Sequence, residues 1–228
     1  MRVSRFSAFW RALTVFFAFL PAAMFAQAQA AGDVALVTAL DGAVARISGQ
    51  GPQPLQNFVK LREGDVLSLG KGAILQIVYF DGGRQETWGG SGKLEVAKVE
   101  SKQTGLPSPQ VRQLPAVMVK QIARTPALDT HGRGGVTRLR SIATPEKIAG
   151  IEKNYAKLKA EAPPDDLNPE FYRLSGFFEI RDLDRVEAVV ADLQKQRGTE
   201  TQVKLLVSLY KKALKDARAT DPAPAPTN

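Results

Sequence analysis

The chain has 228 residues, 44% of them hydrophobic, so a wholly disordered protein is excluded. It has no Cys and a single His, which removes disulfides, iron–sulfur clusters, Cys-based zinc sites and most His-rich metal sites. The formal net charge is +8, but it is unevenly spread: residues 33–100 sum to −1, residues 101–145 to +6 and residues 146–228 to zero.

At the N-terminus, Arg2, Arg5 and Arg11 precede an apolar stretch over residues 12–26, and no acid occurs before Asp33. Pro21 and small residues follow, and Ala28-Gln29-Ala30 fits the A-x-A cleavage pattern, with Ala26-Gln27-Ala28 as a second option. This is the form of a secretory signal peptide over residues 1–30. A spanning helix needs roughly 20 apolar residues, and Pro21, Gln27 and Gln29 interrupt the far end. The expectation is export and cleavage, giving a soluble periplasmic or secreted product with no transmembrane segment.

From Asp33 to Glu100 the apolar pattern has a period near two, broken by turns. VALVTAL (34–40) precedes Asp41-Gly42, a tight-turn pair, and AVARIS (43–48) leads to the loop Gly49-Gln50-Gly51-Pro52. A segment over 55–61 is followed by VLSL (66–69), which ends at Gly70. AILQIVYF (73–80) turns at Asp81-Gly82-Gly83 into RQETW (84–88), and a Gly89-Gly90-Ser91-Gly92 loop precedes LEVAKV (94–99). Many short strands predict an antiparallel sandwich or small barrel over 33–100. A core of that size is near the lower limit for independence, so this part is expected to lean on its neighbour.

The order of these pieces resembles the FecR-type periplasmic β-domain. The residues carrying the resemblance are Gly42-x-Val44, Gly64-Asp65-x-Leu67-x-x-Gly70, the alternating run Ala73 to Tyr79 closed by Asp81-Gly82, and Ser91-x-x-Leu94-x-Val96. It departs from the family pattern at Leu69, where Thr is usual, and in its extra glycines at Gly83, Gly89 and Gly90. The resemblance implies an exported β-module with no shared catalytic site. It also implies signalling from an outer-membrane transporter to a sigma factor. Only about 11 residues precede the apolar stretch, too few to hold a sigma factor, so that role is not expected.

Residues 101–145 hold Pro107, Pro109, Pro115, Pro126, Gly132, Gly134 and Gly135 and most of the excess charge, and read as a basic connector. Leu114, Val117, Val119 and Ile122 suggest that part of it packs as a short helix after Pro115. Arg112, Lys120, Arg124, Arg133, Arg138 and Arg140 are its candidate polyanion-binding residues, for lipopolysaccharide or glycan phosphates. The competing expectation is that they pair with acidic faces of the flanking parts. Nucleic acid is not expected as a partner of an exported chain.

Residues 146–218 read as helices. Thr144-Pro145-Glu146 is a helix start, and Asn168-Pro169-Glu170 opens a second in the same way. Val186, Val189, Val190 and Leu193 carry a third helix to Gly198. Thr199-x-x-Gln202 is a capping box for the fourth, with Val203, Leu206, Val207, Tyr210 and Leu214 at helical spacing. Two tetratricopeptide-like hairpins or a plain four-helix bundle fit equally. The proline-rich tail over 219–228 is expected to be disordered. The fold class is therefore α+β: an N-terminal antiparallel all-β sandwich or barrel, then a helical hairpin or four-helix bundle.

No catalytic constellation, cofactor or metal site is expected. His131 lies in a Gly-rich loop without a fixed partner, and Asp165-Asp166 read as favourable charges before a helix. Trp88 and Tyr79 are the candidate partner-binding aromatics, with a place in the β core as the alternative for Trp88. The function expected is a non-enzymatic adaptor of the bacterial envelope that binds an envelope protein or a glycan.

Overall fold

The computed structural model describes residues 32–126 and 143–220. The expected signal peptide over residues 1–30, the segment carrying His131, Arg133, Arg138 and Arg140, and the residues from 221 onward, where disorder is expected, lie outside the described residues.

The strands are β1 (Asp33–Asp41), β2 (Val44–Ser48), β3 (Gly51–Pro54), β4 (Lys60–Arg62), β5 (Val66–Tyr79), β6 (Arg84–Val96), β7 (Ser101–Thr104) and β8 (Gln110–Gln113). The helices are α1 (Ala116–Ala123), α2 (Pro145–Glu161), α3 (Asn168–Glu179), α4 (Leu183–Arg197) and α5 (Thr201–Thr220). The fold is thus α+β, with a curled antiparallel sheet followed by helices.

The hairpin of β5 and β6 is the spine of the sheet. The first part of β5 pairs with β2 (Leu67 opposite Arg46), and its second part pairs with β1 (Val78 opposite Leu36). On the far edge of β6, β7 pairs with residues 93–96 and β8 with residues 84–87. The spine therefore carries two half-sheets, and it bends between them.

The bend corrects the sequence reading, in which Gly70 ended one strand and Gly89-Gly90-Ser91-Gly92 formed a loop. Both stretches lie inside continuous strands, and the β5–β6 register shifts between Leu69 and Ala73. Glycine in a strand interior marks a bulge or a close backbone approach. Here it is close approach: a Cβ on Gly70 would sit 3.1 Å from the Ala43 carbonyl oxygen, and one on Gly92 would sit 2.8 Å from the Thr104 carbonyl oxygen. The same glycines that look like loop formers in the sequence let the strands pass across the fold.

Strand alternation then assigns the two faces. Ala35, Val37, Leu67, Leu69, Leu75, Ile77, Tyr79, Trp88 and Leu94 point into the space between the half-sheets and form one core cluster. Leu36 and Val78, on the opposite face, join Phe58 in a second cluster with the helices. Phe58 meets Phe171 of α3 edge-on, with ring centroids 5.0 Å apart. The middle of β1 (35–38) and the end of β5 (77–79) are therefore buried on both faces, and the described residues belong to one compact unit.

Residues 101–126 were expected as connector, yet they supply β7, β8 and α1. Leu114, Val119 and Ile122 are buried as the packing expectation requires, together with Met118, whereas Val117 is exposed. The helix begins directly after Pro115, whose fixed φ suits an N-cap and whose missing N–H is no loss there.

The cap at Thr144 forms as expected, its Oγ1 accepting from Lys147 N at 3.4 Å. Asn168 does not cap α3. Its N–H donates to Asp166 Oδ1 (2.8 Å), and its own Nδ2 donates to Gln85 Oε1 on β6 (2.7 Å). Both side chains are buried, so the bond replaces lost hydration at the sheet–helix junction. Nor does α5 start from the Thr199 box: Lys204 N donates to the Glu200 carbonyl (3.0 Å), and the helix begins at Thr201. Among the described residues no helix is long and apolar enough to cross a membrane.

Candidate functional site

The two half-sheets part on the edge where β7 and β8 lie, and a cleft of about 570 Å³ opens there. Pro109, Val111 and an edge of Trp88 make its apolar wall, and Arg84, Glu100 and Lys102 bring charge to it. Ser101, Gln103 and Ser108 supply hydroxyl and amide groups. The cleft follows from the topology: β7 and β8 pair with opposite ends of β6, which leaves the bend between them uncovered by any strand.

Behind this lining lies a carboxylate that does not itself border the cleft. Glu86 is fully buried and lies on the same inward face of β6 as Trp88. Its Oε1 accepts from Arg84 Nε (2.7 Å) and from the Ser101 backbone N–H (3.3 Å), and its Oε2 accepts from Trp88 Nε1 (3.0 Å). Three donors, one of them cationic, compensate for the lost hydration of the charge. Ser101 Oγ in turn lies 2.5 Å from Tyr79 Oη. Burial pushes the Tyr79 phenol well above the usual tyrosine range; the Ser101 bond opposes this and the Glu86 charge adds to it. Ser101 thus faces a phenol that stays protonated. The network ties Ser101 of β7 to β5 and β6 and works as a rigid support.

This support has a second effect. An open sheet edge invites pairing with another chain, and an inward-pointing charge near it discourages indiscriminate pairing. Arg84 and Glu86 close the end of the inner core in this way. Arg84 remains one-third exposed, and a longer contact of 3.8 Å links its Nη2 to the exposed Glu100. Lys102 is exposed and has no ion-pair partner among the described residues.

Trp88 and Tyr79, the expected partner-binding aromatics, do not project from the surface. Trp88 is 1% exposed and Tyr79 is 0% exposed, so the anchor expectation is corrected. Inward alternation on β5 and β6 places both in the core, opposite the half-sheet that carries β7. Trp88 nevertheless borders the cleft, so its indole reports on that place.

Among the described residues, the basic candidates do not converge either. Arg112 Nη1 donates to Asp166 Oδ2 at 2.6 Å, joining β8 to the turn before α3. Arg124 pairs with Glu179, whose Oε2 also accepts from Gln121 Nε2 at 3.0 Å. Both cations are engaged internally, as the pairing expectation required. Lys120 is exposed on α1, and Arg133, Arg138 and Arg140 lie outside the described residues. Asp166 is an internal partner as well as a charge before α3. Among the described residues no group of three or more His, Asp or Glu side chains could hold a metal ion.

A second surface lies on the outer side of the α4–α5 pair, where Lys211, Lys215 and Arg218 border a shallow groove with Glu187. Arg218 is already held by Glu187 (2.7 Å) and Asp184 (3.3 Å). Val190 and Leu214 beneath it are buried, so the groove offers little apolar surface.

Glu86, Ser101 and Lys102 were not singled out in the sequence. A signal existed for Glu86: it has the same strand parity as Trp88, so the alternation puts an acid on a buried face. Nothing local marks Ser101, because its partners come from β5 and β6. No protein-family model, curated protein or solved structure matches the chain.

Proposed function

We propose that this chain is an exported, non-enzymatic adaptor of the bacterial envelope, built on a FecR-type β-module to which the helices are docked. The leader pattern over residues 1–30 supports export, and the order of the Gly42, Gly64 and Gly82 turns supports the module. These three glycines hold φ of 78°, 86° and 77°, the left-handed conformation that tight turns between strands need. The observation that carries the binding role is the cleft between β7 and β8: accessible charge and polar groups line it, and the buried Glu86 behind them is held by Arg84, Trp88 and the Ser101 backbone N–H. Preorganisation of that kind lowers the ordering cost of association.

The test is photo-crosslinking in intact cells from positions 102 and 111 at the cleft and position 215 on α5, after leader cleavage has been checked by mass. A defined envelope protein crosslinked from positions 102 and 111 and not from 215 is the expected result. Retention of an uncleaved chain in the cytoplasm overturns the envelope assignment, and glycan alone, captured from a further probe at position 120 on α1, replaces the adaptor with a polyanion binder.

A further inference from the structure

We infer that a second copy of this chain docks on β8, edge to edge and antiparallel about a two-fold axis at Val111, so that the two sheets continue into one another. The inference goes beyond the adaptor reading and does not need it.

Among the described residues four strands have a free side: β3, β4, β7 and β8. The first three edges are each closed by a device of their own. On β3, the bond from Leu55 N to the Val44 carbonyl sets the alternation, which turns positions 52 and 54 outward; both are proline and carry no N–H. On β4, the Lys60 carbonyl accepts from Arg46 Nη2 (3.0 Å), and the Arg62 N–H donates to Asp65 Oδ2 (2.8 Å). On β7, the Ser101 N–H is taken by Glu86 Oε1 (3.3 Å), and Lys102 charges the strand. β8 has no such device. Leu114 N donates to the Gly83 carbonyl (2.9 Å), so Gln110 and Arg112 bond toward β6 while the N–H and C=O of Val111 and Gln113 point away from it. Gln110, Val111 and Gln113 are exposed, and among the described residues no hydrogen bond engages the outward backbone groups of Val111 or Gln113. The Arg84–Glu86 pair lies one strand further in, on β6, and leaves this edge open.

The residues of β8 select another β8 as the occupant. The edge is short, bounded by Pro109, which has no N–H, and by Pro115, after which the chain turns into α1. An antiparallel partner therefore meets residues 109–113 and little more. Centred on Val111, the pairing sets Val111 opposite Val111 of the second copy, Arg112 opposite Gln110, and Gln113 opposite Pro109. The two Val111 N–H groups then donate to each other's carbonyls, and each Gln113 N–H reaches a Pro109 carbonyl, all about one axis. Centring the pair on Arg112 would set Arg112 against Arg112, a destabilising like-charge pair. Centring it on Gln113 would set Val111 against Pro115, whose carbonyl already accepts from Met118 and Val119. Val111 is 48% exposed in the single chain. With Val111 across from it and Pro109 on the diagonal of the same face, that apolar surface leaves water. The one charge on β8, Arg112, is balanced by Asp166, so two copies meet without net repulsion. So short an edge buries less than a standard interface, which makes the dimer weak and concentration-dependent.

The chain has no cysteine, so single-cysteine variants of the purified full chain report the contact directly. Facing Cα atoms of a hydrogen-bonded antiparallel pair lie about 5.5 Å apart, within disulfide range. Under mild oxidant, Val111→Cys should give a disulfide-linked dimer at least about tenfold faster than Gln113→Cys, whose two copies would lie about 13 Å apart along the strands. Ile74→Cys is the collision control, since Ile74 is as exposed as Val111, at 48%. Sedimentation velocity of the unsubstituted chain over about 1–500 μM should show a reversible monomer–dimer equilibrium. Val111→Lys, a charge of the kind that guards natural sheet edges, should move its midpoint upward by at least about tenfold. Val111→Pro should act in the same direction, because the N–H it deletes bonds to nothing within the chain. A sedimentation coefficient that does not change with concentration, assembly that Val111→Lys leaves intact, or equal crosslinking from positions 74, 111 and 113 overturns the inference. All of these results are read on purified protein. A monomer therefore leaves the adaptor reading standing, and failure to capture an envelope partner in cells leaves the dimer standing.

Discussion

Phe58→Ala tests whether sheet and helices unfold as one body. Phe58 is 0% exposed, and its ring meets Phe171 of α3 at 5.0 Å with an interplanar angle of 71°. It comes from the loop before β4, yet it belongs to the helical cluster with Leu36 and Val78. Truncating a buried Phe costs about 3–5 kcal/mol through lost transfer energy and the cavity left behind. About 0.5–1.5 kcal/mol of that reflects the edge-to-face pair. The backbone at Phe58 has φ of 65°, and alanine is strained there too, so no compensating relief is expected. With a urea slope of about 2–3 kcal/mol/M, a loss of about 4 kcal/mol lowers the midpoint by about 1.5 M. The assay is urea unfolding of the Trp10→Phe chain and its Phe58→Ala variant, followed by Trp88 emission for the β core and by far-ultraviolet circular dichroism for the helices. Both transitions should move together by that amount. A helix transition that falls while the Trp88 transition stays fixed would refute the shared core and make the helices a separately folding part.

Gly83→Ala should lower stability by about 2–4 kcal/mol, read as a fall in Tm. Gly83 has φ of 70°, and an added Cβ would lie 2.8 Å from both the Leu114 carbonyl oxygen and Val119 Cγ2, so left-handed strain and overpacking combine. Tyr210→Phe should reduce the alkaline loss of stability. Burial raises the Tyr210 phenol far above its ordinary value, with bonds to Ser175 and Thr125 opposing the shift. A raised folded-state value means that the contribution is complete below about pH 10 and is lost as pH rises beyond the unfolded tyrosine value. The variant should therefore show a flatter stability profile above about pH 10, at a cost of about 1 kcal/mol at neutral pH from the lost hydrogen bond. An unchanged alkaline slope would show that Tyr210 does not carry it.

Much of the secondary structure was legible because its causes are local. Period-two runs placed β1, β2 and both parts of β5 and β6, and Thr144-Pro145 placed the start of α2, since strand alternation and helix capping depend on neighbours within a few residues. The packed helix after Pro115 was legible for the same reason. The glycines at 70, 89, 90 and 92 were legible as punctuation, but not as bends inside continuous strands. A positive φ or a close backbone approach requires glycine equally in a loop and in a strand crossing a fold.

The candidate site was hardly legible. Trp88 and Tyr79 drew attention as aromatics, yet their inward parity buries them, and the residues that face solvent around the cleft are the unremarkable Lys102, Ser108 and Val111. Arg112 and Arg124 looked like part of a basic strip until the chain folded back and set Asp166 and Glu179 against them, 54 and 55 residues further on. Asn168 carried the local signature of a cap, but Gln85, 83 residues earlier, claimed its side chain. Each of these outcomes depends on desolvation at a long-range contact. Elements and turns follow from short-range sterics that a sequence displays directly. The partner of a polar side chain, and the choice between surface and core, follow from which distant segment removes water from it, and that is a property of the assembled fold.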